Sequence, residues 1–163
     1  MAEINDLNDL FVHTLKDIYY AEKQILKAMP DLIENASSAD LQTAIKDHKA
    51  ETEGQIDRLE TVFDKLGVEA KAVKCPAIDG ILTETKELLG DTADAAVRDA
   101  AIIAAAQAVE HYEITRYGTL ATWAEQLGHD EVIDLLRETL AEEEQTDAKL
   151  TQLAKDQLNA AAV

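Results

Sequence analysis

The chain is 163 residues long, 47% of them hydrophobic, with 6 Gly, 2 Pro and one Cys, and it carries a net charge of −18. That length buries a sizeable core without disulfide staples, and so little Gly and Pro argues against a turn-rich sandwich or barrel. With 33 acidic against 15 basic residues, a generic phosphate-binding surface for nucleic acid or anionic lipid is excluded as well. In chain order, helical periodicity predicts four long helices at about 4–34, 38–66, 93–127 and 130–160. Short breaks at Asn35-Ala36-Ser37-Ser38 and Gly128-His129-Asp130 join the first pair and the last pair as antiparallel hairpins. Ser38 and Asp40 are candidate caps for the second helix, and Gly128 suits the end of the third.

A longer connection runs from Gly67 to Thr92. It contains Cys75-Pro76 and a short helix predicted over Ala77–Leu89, ended by Gly90-Asp91. Two hairpins joined by one long crossover make an all-α, ferritin-like four-helix bundle in a single domain, 1–163. The lone Cys75 excludes an internal disulfide framework, a thiolate zinc finger and a CxxC redox pair. Residues 2–9 carry three acids and no base, unlike a secretory leader, and no apolar run approaches a membrane span. A cytoplasmic protein with neither a nucleic-acid nor a membrane partner is expected.

Each helix should bury an apolar stripe. In the first, Ile4, Leu7, Phe11, Leu15, Ile18, Ile25, Met29 and Leu32 follow three/four spacing, and Glu22 falls among them. In the second, Leu41, Ile45, Leu59, Phe63 and Leu66 set the stripe, with His48 inside it, Gln55 close by and Glu51 at its edge. The third reads inward at Ala96, Ala100, Ile103, Gln107, Ile114 and Ala121, with Glu110 on the face and Glu113 and Tyr117 flanking it. In the fourth, Glu143 and Asp147 fill the gap between Leu140 and Leu150. His111 points away from Glu113. Glu142 and Glu144 point away from Glu143, into solvent.

Every helix thus interrupts its apolar stripe with acid near mid-length. A buried isolated carboxylate is costly, and several facing one another repel. No Lys or Arg falls near the centre of any stripe, so one or two divalent cations are the economical solution. One such Glu alone reads as a rim residue reaching for water; four helices doing so at compatible depth read as a site. Hard oxygen donors with at most one imidazole suit Fe or Mn. Helix register places Glu51 with Glu110 or Glu143 as bridging ligands, and Glu22, Glu113 and Asp147 as terminal ones.

The segments Ile18-Tyr19-Tyr20-Ala21-Glu22-Lys23-Gln24, His48-x-x-Glu51-Thr52-x-x-Gln55, Val109-Glu110-His111-Tyr112-Glu113 and Thr139-Leu140-x-Glu142-Glu143-x-x-Thr146-Asp147 resemble the YciF/YciE family of ferritin-like proteins. Trp123-Ala124-Glu125-Gln126-Leu127-Gly128 strengthens the likeness, which covers nearly the whole chain. The resemblance implies a rubrerythrin-like bundle with a dinuclear metal centre, a bacterial stress response and a homodimer. Carried over by position, it implies Glu22, His48, Glu51, Glu110, Glu113, Glu143 and Asp147 as the metal constellation. The usual di-iron bundle has Glu-x-x-His on two helices. Here the second helix reads His48-x-x-Glu51, Gly54 stands three after Glu51, and the fourth helix offers no histidine.

Three functions follow as expectations. The first is a redox metalloprotein acting on peroxide, oxygen or Fe(II), with Tyr19 or Tyr117 near the centre. The second is non-catalytic metal binding. The third is an acidic, stress-associated interaction module. Tyr20, Leu120 and Trp123, placed on outer faces, are the expected dimer patch.

Overall fold

The first apolar stripe becomes α1, Leu7–Asn35, in a computed structural model that describes residues 3–163. Asp6 caps it, its carboxylate accepting from the Asp9 N–H at 2.8 Å, which satisfies a donor the helix start leaves free. The helix therefore starts three residues later than expected, and Ile4 is exposed rather than on the stripe. Pro30 lies inside α1 on its exposed side without ending it; it forgoes one backbone hydrogen bond.

The next helix, α2, is Ala39–Leu66. Ser38, rather than Asp40, is its cap, accepting from the Leu41 N–H at 3.3 Å. Gly67 ends it at φ +65°, a left-handed conformation that costs a residue with a Cβ. The crossover helix α3 is Pro76–Asp91, with Pro76 in its first turn and the Cys75 thiol accepting from the Ile78 N–H. Asp94 caps α4, Ala95–Leu127, by accepting from the N–H groups of Ala96 and Val97. Gly128, at φ +75°, ends α4 as expected. The last stretch is not one helix to residue 160. The helix α5, Asp130–Leu153, passes into a π-helical turn, Ala154–Leu158, and a final turn, Asn159–Ala161.

The two hairpins, α1–α2 and α4–α5, pack so that α1 also touches α4 and α2 also touches α5. The four long helices therefore form a ring in which α2 and α4 stand at opposite corners. The crossover must span that diagonal, and α3 lies against α1 and α4 on the way. Phe11, Leu15, Ile18, Leu41, Leu59, Phe63, Ile102, Leu120 and Leu136 fill the core.

Two expectations about α4 need correction. Ile103, Glu110 and Ala121 are buried as expected, but the inward face also runs through Ile102, Ala106, Val109, Glu113, Tyr117, Leu120 and Ala124, while Ala96, Ala100, Gln107 and Ile114 are only half-buried. Ala surrounds the first half of this helix, so apolar periodicity carried little contrast there. Leu120 is fully buried and cannot belong to an outer patch, and Tyr20 donates to Asp79 on α3 at 2.9 Å. Asp99, unremarked in the sequence, is 2% exposed. It accepts from the Ser37 N–H (2.7 Å), the Ser37 hydroxyl (2.6 Å) and the Ser38 N–H (2.9 Å), fastening α4 to the α1–α2 loop.

Candidate metal centre

Each helix of the ring sends acid or imidazole to one level of the bundle. Glu22 follows Ile18 by four residues and precedes Ile25 by three, so α1 buries it with them. On α2, His48 falls between Ile45 and Thr52 on the buried side. On α4, Glu110 and Glu113 are one turn apart, and α5 buries Glu143 between Thr139 and Thr146. His48, Glu110, Glu113 and Glu143 each present one ligating atom, all within 4.8 Å of one another. His48 Nδ1 lies 3.2 Å from Glu110 Oε1, and His48 Nε2 lies 3.7 Å from Glu143 Oε2. Glu22 joins them from α1, with Tyr117 donating to its Oε1 and its charge raising the pKa of Glu113.

The cluster is short of donors. Both oxygens of Glu110, Glu113 and Glu143, one of Glu22 and His48 Nε2 are buried without a hydrogen-bond partner. Among the described residues, no Lys or Arg forms an ion pair with any of these four carboxylates. Arg58 is the nearest in role, but it is engaged with its neighbours. It donates to both oxygens of Glu142 (2.9 and 2.8 Å), to Thr139 and to Glu138. Glu142 is thus not solvated as expected but clamped between Arg58 and Gln55. The signal was available: Arg58 stands one turn beyond Gln55 on the same helix.

Two residues of the expected constellation stand at the flank. Glu51 accepts from the Thr146 hydroxyl at 3.1 Å and lies 3.7 Å from Lys149 Nζ. Asp147 accepts from Gln107 Nε2 at 2.9 Å and lies 3.2 Å from His111 Nε2. Both are near enough to act on the cluster, since the Glu51 charge raises the pKa of Glu143 and the Asp147 charge that of Glu110. Of the two candidate tyrosines, Tyr117 is at the centre. Tyr19 turns to Glu60 and Lys23 beside Phe63.

The electrostatics follow from burial. Loss of water, then the Glu143 charge, pushes Glu22 up to about 8. Burial with Glu143 alongside takes Glu110 to about 11, and burial takes Glu143 to about 7. Glu113 is held well above the carboxylate range by burial and by Glu22, Glu143 and Glu110. Burial, helped by Lys149, lowers His48 to about 4. At neutral pH the His48–Glu110 contact is therefore a neutral pair, not an ion pair. A neutral imidazole and carboxyls that give up protons to a cation are what a metal ion requires. Orphaned buried oxygens on several helices, with one unpartnered imidazole nitrogen, fit a divalent metal and fit an empty apolar core poorly.

The chain and its fold have relatives. YciF of Escherichia coli K12 is 47% identical over 154 residues, 94% of this chain and 93% of that protein. The crystal structure of that protein, described as a stress protein, superposes with a TM-score of 0.91 over 95% of this chain and 98% of its own. YcfI of Rhodopseudomonas palustris, proposed as a structural protein, is 52% identical with a TM-score of 0.90 over 91% of this chain and 95% of that one. A protein of Xanthomonas campestris shares the fold at a TM-score of 0.72 and 19% identity, over 92% of each chain. The model of the family described as "Domain of unknown function (DUF892)" matches residues 6–163. With that match over nearly its whole length and YciF at 47% identity, the chain belongs to the DUF892 family, as the YciF-like motifs had indicated.

Proposed function

We propose that the protein is a carboxylate-rich, di-metal member of its family, holding two divalent ions, Fe or Mn, for redox chemistry in a bacterial stress response. The observation that carries this reading is the concentration of unpartnered, buried carboxylate oxygens around His48. His48, Glu110, Glu113 and Glu143 form one set of potential ligands, and Glu22, whose charge acts on Glu113, extends it toward α1. Glu51 and Asp147 flank them and complete the coordination or hold it in place. When bound, two such ions would each supply one electron for reducing dioxygen or peroxide, and only after that oxidation would they take electrons back from a reductant such as Fe(II).

The chain's own contribution is positional and electrostatic. His48 is neutral at physiological pH and free to ligate. Tyr117 donates to one oxygen of Glu22 and leaves the other unpartnered, which orients that carboxylate. The buried level excludes bulk water from the acids. The link to stress rests on the likeness to YciF, described as a stress protein. A homodimer in the cytoplasm is part of the same reading.

The test is elemental analysis, with anomalous scattering at the Fe and Mn edges, on protein purified without a metal-binding tag. Two ions among Glu22, His48, Glu110, Glu113 and Glu143 are expected, and Glu110→Ala should lose them. No metal after anaerobic loading with Fe(II) or Mn(II) would overturn the proposal. A second reading, a structural role without turnover, is favoured by the likeness to YcfI. A large thermal shift on metal loading with no peroxide, oxygen or Fe(II) turnover would decide for it.

A further inference from the structure

We infer that the protein admits a small, uncharged, apolar molecule, dioxygen, to the His48–Glu110 side of the centre through an internal apolar passage beneath α3. This deepens the proposed function and rests on it only for what the molecule does on arrival. A cavity of about 30 Å³ abuts His48 and Glu110 and is otherwise walled by side chains such as Met29, Ile45, Val109 and Leu150. A cavity of this size has room for about two water-sized molecules. His48, Glu110 and Thr146 offer water partners only at the end next to the centre; the rest of the wall is apolar and favours an apolar guest. A second cavity of about 40 Å³ shares Ala28, Leu82 and Val109 with the first and reaches Asp31 and Lys86, both exposed. Leu82 of the crossover helix borders both spaces.

The chemistry of the wall discriminates among the candidate substrates. A hydrated Fe(II) ion cannot shed its water against Leu and Val without a large desolvation cost. Hydrogen peroxide would forfeit most of its hydrogen bonds for the same reason. Dioxygen forfeits none. The passage also ends at unsatisfied members of the cluster, His48 with Nε2 unpartnered and Glu110 with both oxygens unpartnered.

The experiment uses metal-free and Zn-loaded protein, so no turnover is needed. Dissolved dioxygen is paramagnetic, and methyl groups it visits relax faster under oxygen pressure in NMR. The Met29, Ile45, Val109 and Leu150 methyls should show several-fold greater enhancement than those of Leu59 and Leu136, which are equally buried but line neither space. Leu82→Trp and Ala28→Leu, on different helices, should each reduce that excess. In Fe-loaded protein the same variants should slow oxygen-dependent oxidation and leave the peroxide-dependent rate unchanged. Equal enhancement at all buried methyls, or an excess untouched by both variants, would overturn the inference while leaving the metal reading intact. Enhancement with no metal bound under any loading would uphold the passage and sink the proposed function.

Discussion

Protonation decides how the buried acids behave before any metal arrives. Glu22, Glu110, Glu113 and Glu143 hold their protons more tightly in the folded chain than in the unfolded one, where 4.5 is the ordinary value. Their contribution to stability is complete below about pH 4.5 and is lost as pH rises through about 7 for Glu143, 8 for Glu22 and 11 for Glu110. His48 works the other way: its neutral folded form contributes above 6.5, and that is lost as pH falls toward 4. Above 6.5, then, only the acids set the slope. Melting temperatures of chelator-treated protein should fall steadily from pH 6.5 to 9, whereas metal-loaded protein should flatten or reverse that trend, because binding releases the same protons. Glu113→Gln replaces a buried carboxyl that folding must keep protonated with a neutral amide of the same shape. In the metal-free protein at pH 8 it should raise stability by about 1 kcal/mol, or about 3 °C, while abolishing the shift on metal loading. The acids of this centre were legible as residues because each interrupts an apolar stripe. Their hydrogen-bond partners were not: Tyr117 and Glu22 are 95 positions apart, and only the packing of α4 against α1 brings them together.

At the scale of the helices, the ends marked by a local cap or glycine were readable, whereas the start of α1 and the end of α5 were not. Ser38, Gly67 and Gly128 act as caps or stops for reasons local to a few residues. The inward face of α4 was not readable, because Ala100, Ala101, Ala104, Ala105, Ala106 and Ala108 all but surround the helix and mark no side. Its orientation is set instead by long-range partners, Asp99 at one end and Tyr117 toward the other. Asp99 replaces three backbone and hydroxyl interactions that the α1–α2 loop would otherwise owe to water. Asp99→Ala removes three hydrogen bonds to a charged acceptor and should cost about 2 kcal/mol. Urea denaturation would read this as a lower midpoint with an unchanged slope. Metal loading should be retained, since Asp99 stands far along α4 from Glu110.

For the molecule as a whole, the arrangement of hairpins was written in loop lengths: two short connections and one long one. The net charge of −18 adds a global term, self-repulsion of the compact state, which salt screens. Metal-free protein should therefore melt higher at physiological than at low ionic strength, as calorimetry can test. The division of the centre between hairpins has a further outcome, in time rather than in equilibrium. Of the clustered residues the α1–α2 hairpin carries Glu22 and His48, with Glu51 at the flank; Glu110, Glu113 and Glu143 belong to the α4–α5 hairpin. Each hairpin can form from contacts near in sequence, but no complete ligand set exists until the two dock across the long crossover. If that docking follows the rate-limiting step, the metal joins a chain that has already passed its barrier. Stopped-flow measurements should then find refolding rates unmoved by metal, and the whole of the stabilisation expressed as slower unfolding.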